Sequence, residues 1–239
     1  MNDESFSDLT SNISDMSYLS DLDDECQSIN FDLSNGSPIN VNNFNIAHYN
    51  INSITAEYRL DQLSDICSTL NLAVLVITES KLDKTIPTNL ITIPGYHEPV
   101  RKDRYNNGRN GGGVLIYIAD YLVFQQQTDL QSDYYEHIWV DVKYKNVTFS
   151  INALYRPPLE TVESHTQFIA TCNDILPKLN NHKSTYKIIT SDLNFGNCYS
   201  KYPVLNPKPL DAIAPDLFSS QGFTQLIDIP TRITEGTLS

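Results

Sequence analysis

Apolar residues fall along this chain in two rhythms. Phe44 to Asn50 alternates apolar and polar positions and reads as a strand, after which Leu60, Leu63, Ile66 and Leu70 recur at helical spacing through Glu57 to Leu70. Ala73 to Thr78 is a continuous apolar run, the mark of a strand buried on both faces. Ile93-Pro-Gly-Tyr96, a polar basic loop from Arg101 to Asn110 and the glycines Gly111, Gly112 and Gly113 lead into a strand at Val114 to Ile118. Further strands are predicted at Leu122 to Gln126, His137 to Val142 and Val147 to Tyr155, close enough in sequence to pair as antiparallel neighbours. Helical spacing returns with Phe168, Ile169, Cys172, Ile175, Leu176 and Leu179, and Tyr186 to Thr190 is another strand. A loop rich in proline (Pro203, Pro207, Pro209) precedes a predicted helix over Asp211 to Gly222, then Leu226 to Pro230. Runs of strands separated by single helices predict an α/β fold with packed sheets and helices outside.

The first 43 residues do not share this pattern. Their charges are Asp3, Glu4, Asp8, Asp15, Asp21, Asp23, Asp24, Glu25 and Asp32, with no Lys or Arg, so of the formal charge of −13 only −4 belongs to the rest of the chain. A stretch of one sign with so little to bury cannot offset its ordering entropy, so residues 1–43 are expected to be a disordered tail and residues 44–239 the folded domain. No basic and apolar leader opens the chain and no apolar run approaches the length of a membrane span, which predicts a soluble, intracellular protein with no membrane partner. Cys26, Cys67, Cys172 and Cys198 are scattered, supporting neither a zinc site nor a disulfide framework. His48, His97, His137, His165 and His182 stand in no mutual ligand spacing, and Asp228 reads as structural.

The candidate chemistry sits at the strand ends. Asn50 and Asn52, then Glu79, then Asp192 and Asn194 each follow a short apolar run, so each side chain is expected to project from the end of a buried strand. A lone asparagine in such a place is ordinarily a turn or cap residue. Several oxygen-bearing side chains converging there would instead suit a hard divalent cation and a phosphate, because Mg²⁺ prefers carboxylate and carbonyl oxygens and keeps waters for substrate. That chemistry is phosphodiester hydrolysis. Arg101, Lys102, Arg104 and Arg109 are either an ordinary solvated loop or contacts to a nucleic-acid backbone.

Seven segments together carry a resemblance: Asn50 to Ile54 (NINSI), Thr78 to Leu82 (TESKL), Pro94 to Tyr96 (PGY), Gly111 to Val114 (GGGV), Tyr155 to Pro158 (YRPP), Ser191 to Asn194 (SDLN) and Pro230 to Thr234 (PTRIT). In this order they resemble the endonuclease/exonuclease/phosphatase superfamily, and specifically the endonuclease domain of non-LTR retrotransposons. The resemblance implies a four-layer α/β sandwich, two packed mixed sheets flanked by helices. It also implies that Glu79 is a ligand of Mg²⁺ or Mn²⁺ with Asn50 beside it, that Asp192 orients or deprotonates the attacking water, that Asn194 holds the scissile phosphate, and that Tyr155 hydrogen-bonds a phosphate oxygen. A monomer acting on DNA, normally fused to a downstream reverse transcriptase and working in the nucleus, is implied likewise. Ser191 stands where the family usually has glycine. The family continues after its Pro-Thr-Arg-Ile-Thr segment with a Leu-Asp motif and a Ser-Asp-His motif, and the expectation is therefore of a sandwich missing its last strands and an impaired enzyme. The other readings are an apurinic-site nuclease or small-molecule phosphoesterase of the same core, and a retroelement remnant with at most weak metal or DNA binding.

Overall fold

Two strand–helix–strand crossovers, one in each of two sheets, organise the fold. The computed structural model describes residues 44–104, 111–132, 134–158, 161–194 and 217–227, together with the backbone of 26–30, 233–234 and 237–238. In chain order the elements are β1 (Cys26–Asn30), β2 (Asn45–Asn50), α1 (Arg59–Thr69), β3 (Leu72–Thr78), β4 (Val100–Lys102) and β5 (Val114–Ile118). There follow β6 (Val123–Gln126), β7 (Glu136–Tyr144), β8 (Val147–Tyr155), α2 (Val162–Asn181), β9 (Tyr186–Asp192), β10 (Ile233–Thr234) and β11 (Thr237–Leu238). One sheet has the order β1-β2-β3-β5-β4 and the other β6-β7-β8-β9, while β10 and β11 pair with each other.

The residues explain the layers. Every position of β3 and β5 is buried, as their unbroken apolar runs require. Alternate side chains then serve two cores: Val74 and Val76 face the second sheet, against Ile138, Val140, Phe149 and Ile151, while Leu75 and Ile77 face Leu63, Ile66 and Cys67 of α1. On the far side of the second sheet, α2 lays Phe168, Cys172, Ile175, Leu176 and Leu179 over Trp139 and Leu154. The result is helix, sheet, sheet, helix, the four-layer α/β sandwich that the resemblance implies. Thr161 caps α2 by accepting a hydrogen bond from the Ser164 N–H at 3.2 Å.

Both sheets are mixed. β2 runs parallel to β3 with Asn50 opposite Thr78, and β8 runs parallel to β9 with Tyr155 opposite Asp192. A parallel pair needs a crossover, supplied by α1 in one sheet and α2 in the other. Each crossover leaves two strands ending side by side, and in open α/β sheets ligands gather outside such carboxyl ends.

The structure departs from the sequence reading in three elements. Cys26–Asn30, inside the segment expected to lack structure, is a strand antiparallel to β2, taking up the hydrogen bonds of that sheet's edge. Val100–Lys102 is an edge strand on β5, although Arg101 and Lys102 belong to what reads as a polar loop; short charged strands are a usual way to finish a sheet edge. Helix α2 starts at Val162, a turn and a half before its apolar stripe begins, because its first turns are held by the Thr161 cap and by the buried polar His165, which add nothing to an apolar period. Of the helix expected at Asp211 to Gly222, residues 217–219 are helical and 211–216 lie outside the described residues. Among the described residues no helix is long and apolar enough to cross a membrane.

Candidate active site

The two pairs of strand ends meet across the gap between the sheets. Asn50, the last residue of β2, donates through its Nδ2 to Glu79 Oε1 at 3.0 Å and to Asp192 Oδ2 at 2.8 Å. Its Oδ1 accepts the Asn52 N–H at 3.2 Å, so this amide orientation satisfies both of its ends. The Tyr155 hydroxyl donates to the same Glu79 Oε1 at 3.1 Å. Four residues from four strand ends and both sheets are thereby tied into one network.

The backbone that presents Glu79 is unusual. The parallel ladder continues past the strand ends, with Ile51 N–H bonded to Thr78 O at 3.1 Å, Ser53 N–H to Glu79 O at 2.9 Å and Ile54 N–H to Ser80 O at 3.1 Å. On the other side, Ser80 N–H reaches Gly113 O at 3.2 Å and Lys81 N–H reaches Gly112 O at 2.8 Å. Between these anchors Glu79 and Lys81 have φ of +54° and +52°, and Asn52 and Ser53, opposite them, have +49° and +101°. Non-glycine residues in this region carry strain that only a well-tied surround maintains, and such residues cluster at functional sites. The last two glycines of the triplet are explained here: a Cβ on Gly113 would lie 2.4 Å from Ser80 Oγ and one on Gly112 would strike the Arg104 guanidinium, whereas one on Gly111 would meet only ordinary contact. The glycines admit close approach by Ser80 and Arg104.

Electrostatics acts on the Asp192 carboxyl and on the Tyr155 phenol. Burial pushes the Asp192 carboxyl up to about 6, the negative Glu79 adding to it, against the hydrogen bonds from Asn50 and Asn194 that favour the charge. Burial and then the neighbouring Glu79 raise the Tyr155 hydroxyl well above its ordinary 10, so it remains a donor at any physiological pH. Lys81 Nζ is 4.0 Å from Glu79 Oε2 and donates to Asn52 Oδ1, which puts one cation at the rim.

Of the residues singled out in the sequence, Asn50, Glu79, Tyr155 and Asp192 come together. Asn194 stands two residues on, exposed and in left-handed backbone (φ +50°), its Nδ2 donating to Arg156 O at 2.8 Å. The basic residues are differently placed. Arg101 turns back on Asp103 at 2.5 Å and on the carbonyls of Ile86 at 2.8 Å and Asp83 at 2.9 Å. Lys102 donates to Ser132 O. Arg104 pairs with the buried Glu136 and lies 5.3 Å over the Tyr155 ring, and Arg109 is outside the described residues. Arg101, Lys102 and Arg104 thus have intramolecular partners that bind this edge to the sandwich. Lys81, Arg156 and Glu136 are site neighbours that sequence reasoning assigned no role. For Lys81 and Arg156 the available signal was adjacency to Glu79 and Tyr155 within two of the quoted motifs.

Among the described residues no group of three or more His, Cys, Asp or Glu gathers as a metal cluster. The donor set is instead two carboxylates and an amide. Glu79 and Asp192 lie within hydrogen-bond reach of one nitrogen, and each carboxylate retains further lone pairs beyond the one that Asn50 occupies. All-oxygen donors few in number fit a hard cation that keeps several waters.

A four-layer sandwich with paired carboxylates and an amide at its parallel strand ends defines a hydrolase fold of the nuclease and phosphoesterase class. The chain belongs to the Endonuclease/Exonuclease/phosphatase family, whose profile matches residues 43–234. In fold it is similar to the endonuclease domain of TRAS1, a telomere-specific non-LTR retrotransposon, with 13% identity, a TM-score of 0.58, and 78% of this chain and 75% of that one covered. It is similar as well to the AP endonuclease LMAP from Leishmania major, with 12% identity, a TM-score of 0.58, and 74% of this chain and 66% of that one covered. No curated protein is significantly similar to the chain in sequence.

Proposed function

We propose that this chain is a divalent-cation-dependent phosphodiesterase that nicks DNA. The observation that carries the reading is the Asn50 amide, bonded to Glu79 and Asp192 at once, with Tyr155 on Glu79. Glu79 and Asp192 would hold Mg²⁺ or Mn²⁺, the Asn50 amide joining them through its Oδ1 once it turns over and gives up its bonds to the two carboxylates, and the bound cation supplies neutralisation of charge on the phosphate oxygens. The chain's own groups divide the remaining work. The Asp192 carboxylate orients a water and takes its proton as the water oxygen bonds to phosphorus and the P–O3′ bond breaks, the leaving 3′ oxygen taking up a proton from solvent to become the 3′-hydroxyl. The Tyr155 hydroxyl, turning its single proton from Glu79 to the phosphate, and the second N–H of the Asn194 amide donate to non-bridging oxygens, whose charge grows in the transition state. Because no side chain needs to bond to phosphorus, no covalent intermediate forms.

DNA is the favoured substrate because two structures similar in fold, each at a TM-score of 0.58, are, by name, a retrotransposon endonuclease and an AP endonuclease. Of these, the retrotransposon endonuclease is preferred, on the Tyr-Arg-Pro-Pro and Pro-Thr-Arg-Ile-Thr segments. A nick that leaves a 3′-hydroxyl would prime reverse transcription. The test is cleavage of supercoiled plasmid, of the same duplex with one abasic site, and of p-nitrophenyl phosphate. Enzyme is in excess, with Mg²⁺ or with chelator, for the wild type and Glu79→Gln. Nicking of intact plasmid that needs Mg²⁺ and falls about 10²-fold or more in Glu79→Gln is expected. Cleavage confined to the abasic duplex would move the assignment to apurinic-site repair, and cleavage indifferent to both chelator and Glu79→Gln would overturn it.

A further inference from the structure

Arg156 is the residue of Tyr-Arg-Pro-Pro whose place in the fold least matches its chemistry. An arginine beside a phosphate-handling site is ordinarily a phosphate contact. This one is buried to 4% exposure, with its guanidinium 5.7 Å over the Phe168 ring of α2 and an Nη2–Nδ1 distance of 3.4 Å to His165. Its other bonds go to the loop that carries Asn194. Nη1 donates to Leu193 O at 2.8 Å and to Asn194 O at 3.4 Å, and the backbone N–H donates to Asp192 O at 2.9 Å. In return the Arg156 carbonyl accepts from Asn194 Nδ2 at 2.8 Å. Three successive carbonyls, that of the last residue of β9 and the two that follow it, are therefore held by one residue, and the side chain of the third is held by the same residue's carbonyl.

The neighbouring residues make this hold stiff. Pro157 confines the residue before it to extended backbone, fixing the direction of the Arg156 carbonyl, and it brings no N–H of its own to compete for the loop. Asn194 has left-handed backbone, φ +50°, which asparagine tolerates but which needs an external anchor to persist. Both carbonyls are reached from one nitrogen, Nη1, whose two N–H groups are fixed in the guanidinium plane, while Nη2 is directed to His165; a lysine ammonium rotates freely and holds no such fixed directions.

We propose that Arg156 is a positioning residue, acting on the reaction through Asn194 and never touching the substrate. The proposal rests on the reading above, in which Asn194 contacts the phosphate, and it gives the Tyr-Arg-Pro-Pro segment two tasks: Tyr155 on the Glu79 side of the cleft and Arg156 on the Asn194 side.

Two measurements test it. In the unsubstituted protein without metal or DNA, a trans-hydrogen-bond NMR coupling from Arg156 Nη1 to the Leu193 carbonyl carbon is expected, and Arg156→Lys is expected to shift the Asn194 side-chain amide resonances. Absence of the coupling, or an unmoved Asn194 amide, overturns the proposal whether or not the protein is a nuclease. In single-turnover nicking, Arg156→Lys is expected to slow cleavage about 10–100-fold, the usual cost of losing a partner behind a functional group, with the half-saturating enzyme concentration little changed. In an Asn194→Ala background the same substitution is expected to cost under about 2-fold, because the group it positions is already gone. Full multiplication of the two losses would show that Arg156 acts independently of Asn194. Where Arg156→Lys does not fold, the coupling in the unsubstituted protein decides.

Discussion

Replacing Gly113 by alanine places a methyl group 2.4 Å from Ser80 Oγ, at a residue whose φ is +86°. Two costs add. Holding alanine in left-handed backbone costs roughly 1–2 kcal/mol. Forcing an extra carbon into a packed site costs roughly 1–3 kcal/mol. The total, about 2–5 kcal/mol, is a large part of the 5–15 kcal/mol by which domains are typically stable. Ser80 offers a way to separate the two costs. Among the described residues its buried hydroxyl has no hydrogen-bond partner, so Ser80→Ala should cost nothing or stabilise slightly. In the double variant the clash is relieved and only the backbone cost of about 1–2 kcal/mol remains. The assay is urea unfolding followed by tryptophan fluorescence, since the single tryptophan, Trp139, is 1% exposed in the second sheet and reports global unfolding. If Gly113→Ala lowers stability by less than about 1 kcal/mol, or if Ser80→Ala recovers none of the loss, the account of Gly113 as a close-approach device is wrong.

Other outcomes follow from single groups. His137 is buried in β7 and its imidazole is pushed down to about 3, by burial first and then by Lys102. The folded value lies below the unfolded one, so the stability linked to neutral His137 is complete above about pH 6.5 and is lost on acidification at about 1.4 kcal/mol per pH unit. Between pH 7.5 and 5 the wild type should lose about 2 kcal/mol more in urea unfolding than His137→Gln does; parallel losses would contradict the burial argument. Tyr155→Phe removes the bond to Glu79 Oε1 and a donor to the phosphate, so nicking should slow about 10²–10³-fold. Its stability should fall by only about 1 kcal/mol, and a larger loss of stability than of rate would make Tyr155 structural.

Much of this architecture was legible because burial writes itself into the chain. The unbroken apolar runs of β3 and β5 and the long alternation of β8 located those strands, and the acids and amides at the strand ends located Asn50, Glu79 and Asp192. What was not legible depends on contacts between distant segments. Nothing local tells that Arg104 pairs with Glu136, 32 residues away, or that Arg101 turns back on Asp103 and two carbonyls, so a basic loop and a set of internal anchors read alike. β4 was missed because three residues with two charges have no period to detect. Arg156 was passed over because sequence shows its charge but not its burial under α2.

The central claim is that Glu79, Asn50 and Asp192 form one cation site across the two sheets. Paramagnetic broadening of backbone amides on titration with Mn²⁺ tests it most directly. The broadening is expected to centre on residues 50–53, 78–81 and 191–194 together, to be competed by Mg²⁺, and to weaken strongly in Glu79→Gln, where a neutral amide replaces a carboxylate ligand. Broadening centred elsewhere, for instance on the acidic first 43 residues, or broadening at the strand ends that Glu79→Gln leaves unchanged, would contradict the account.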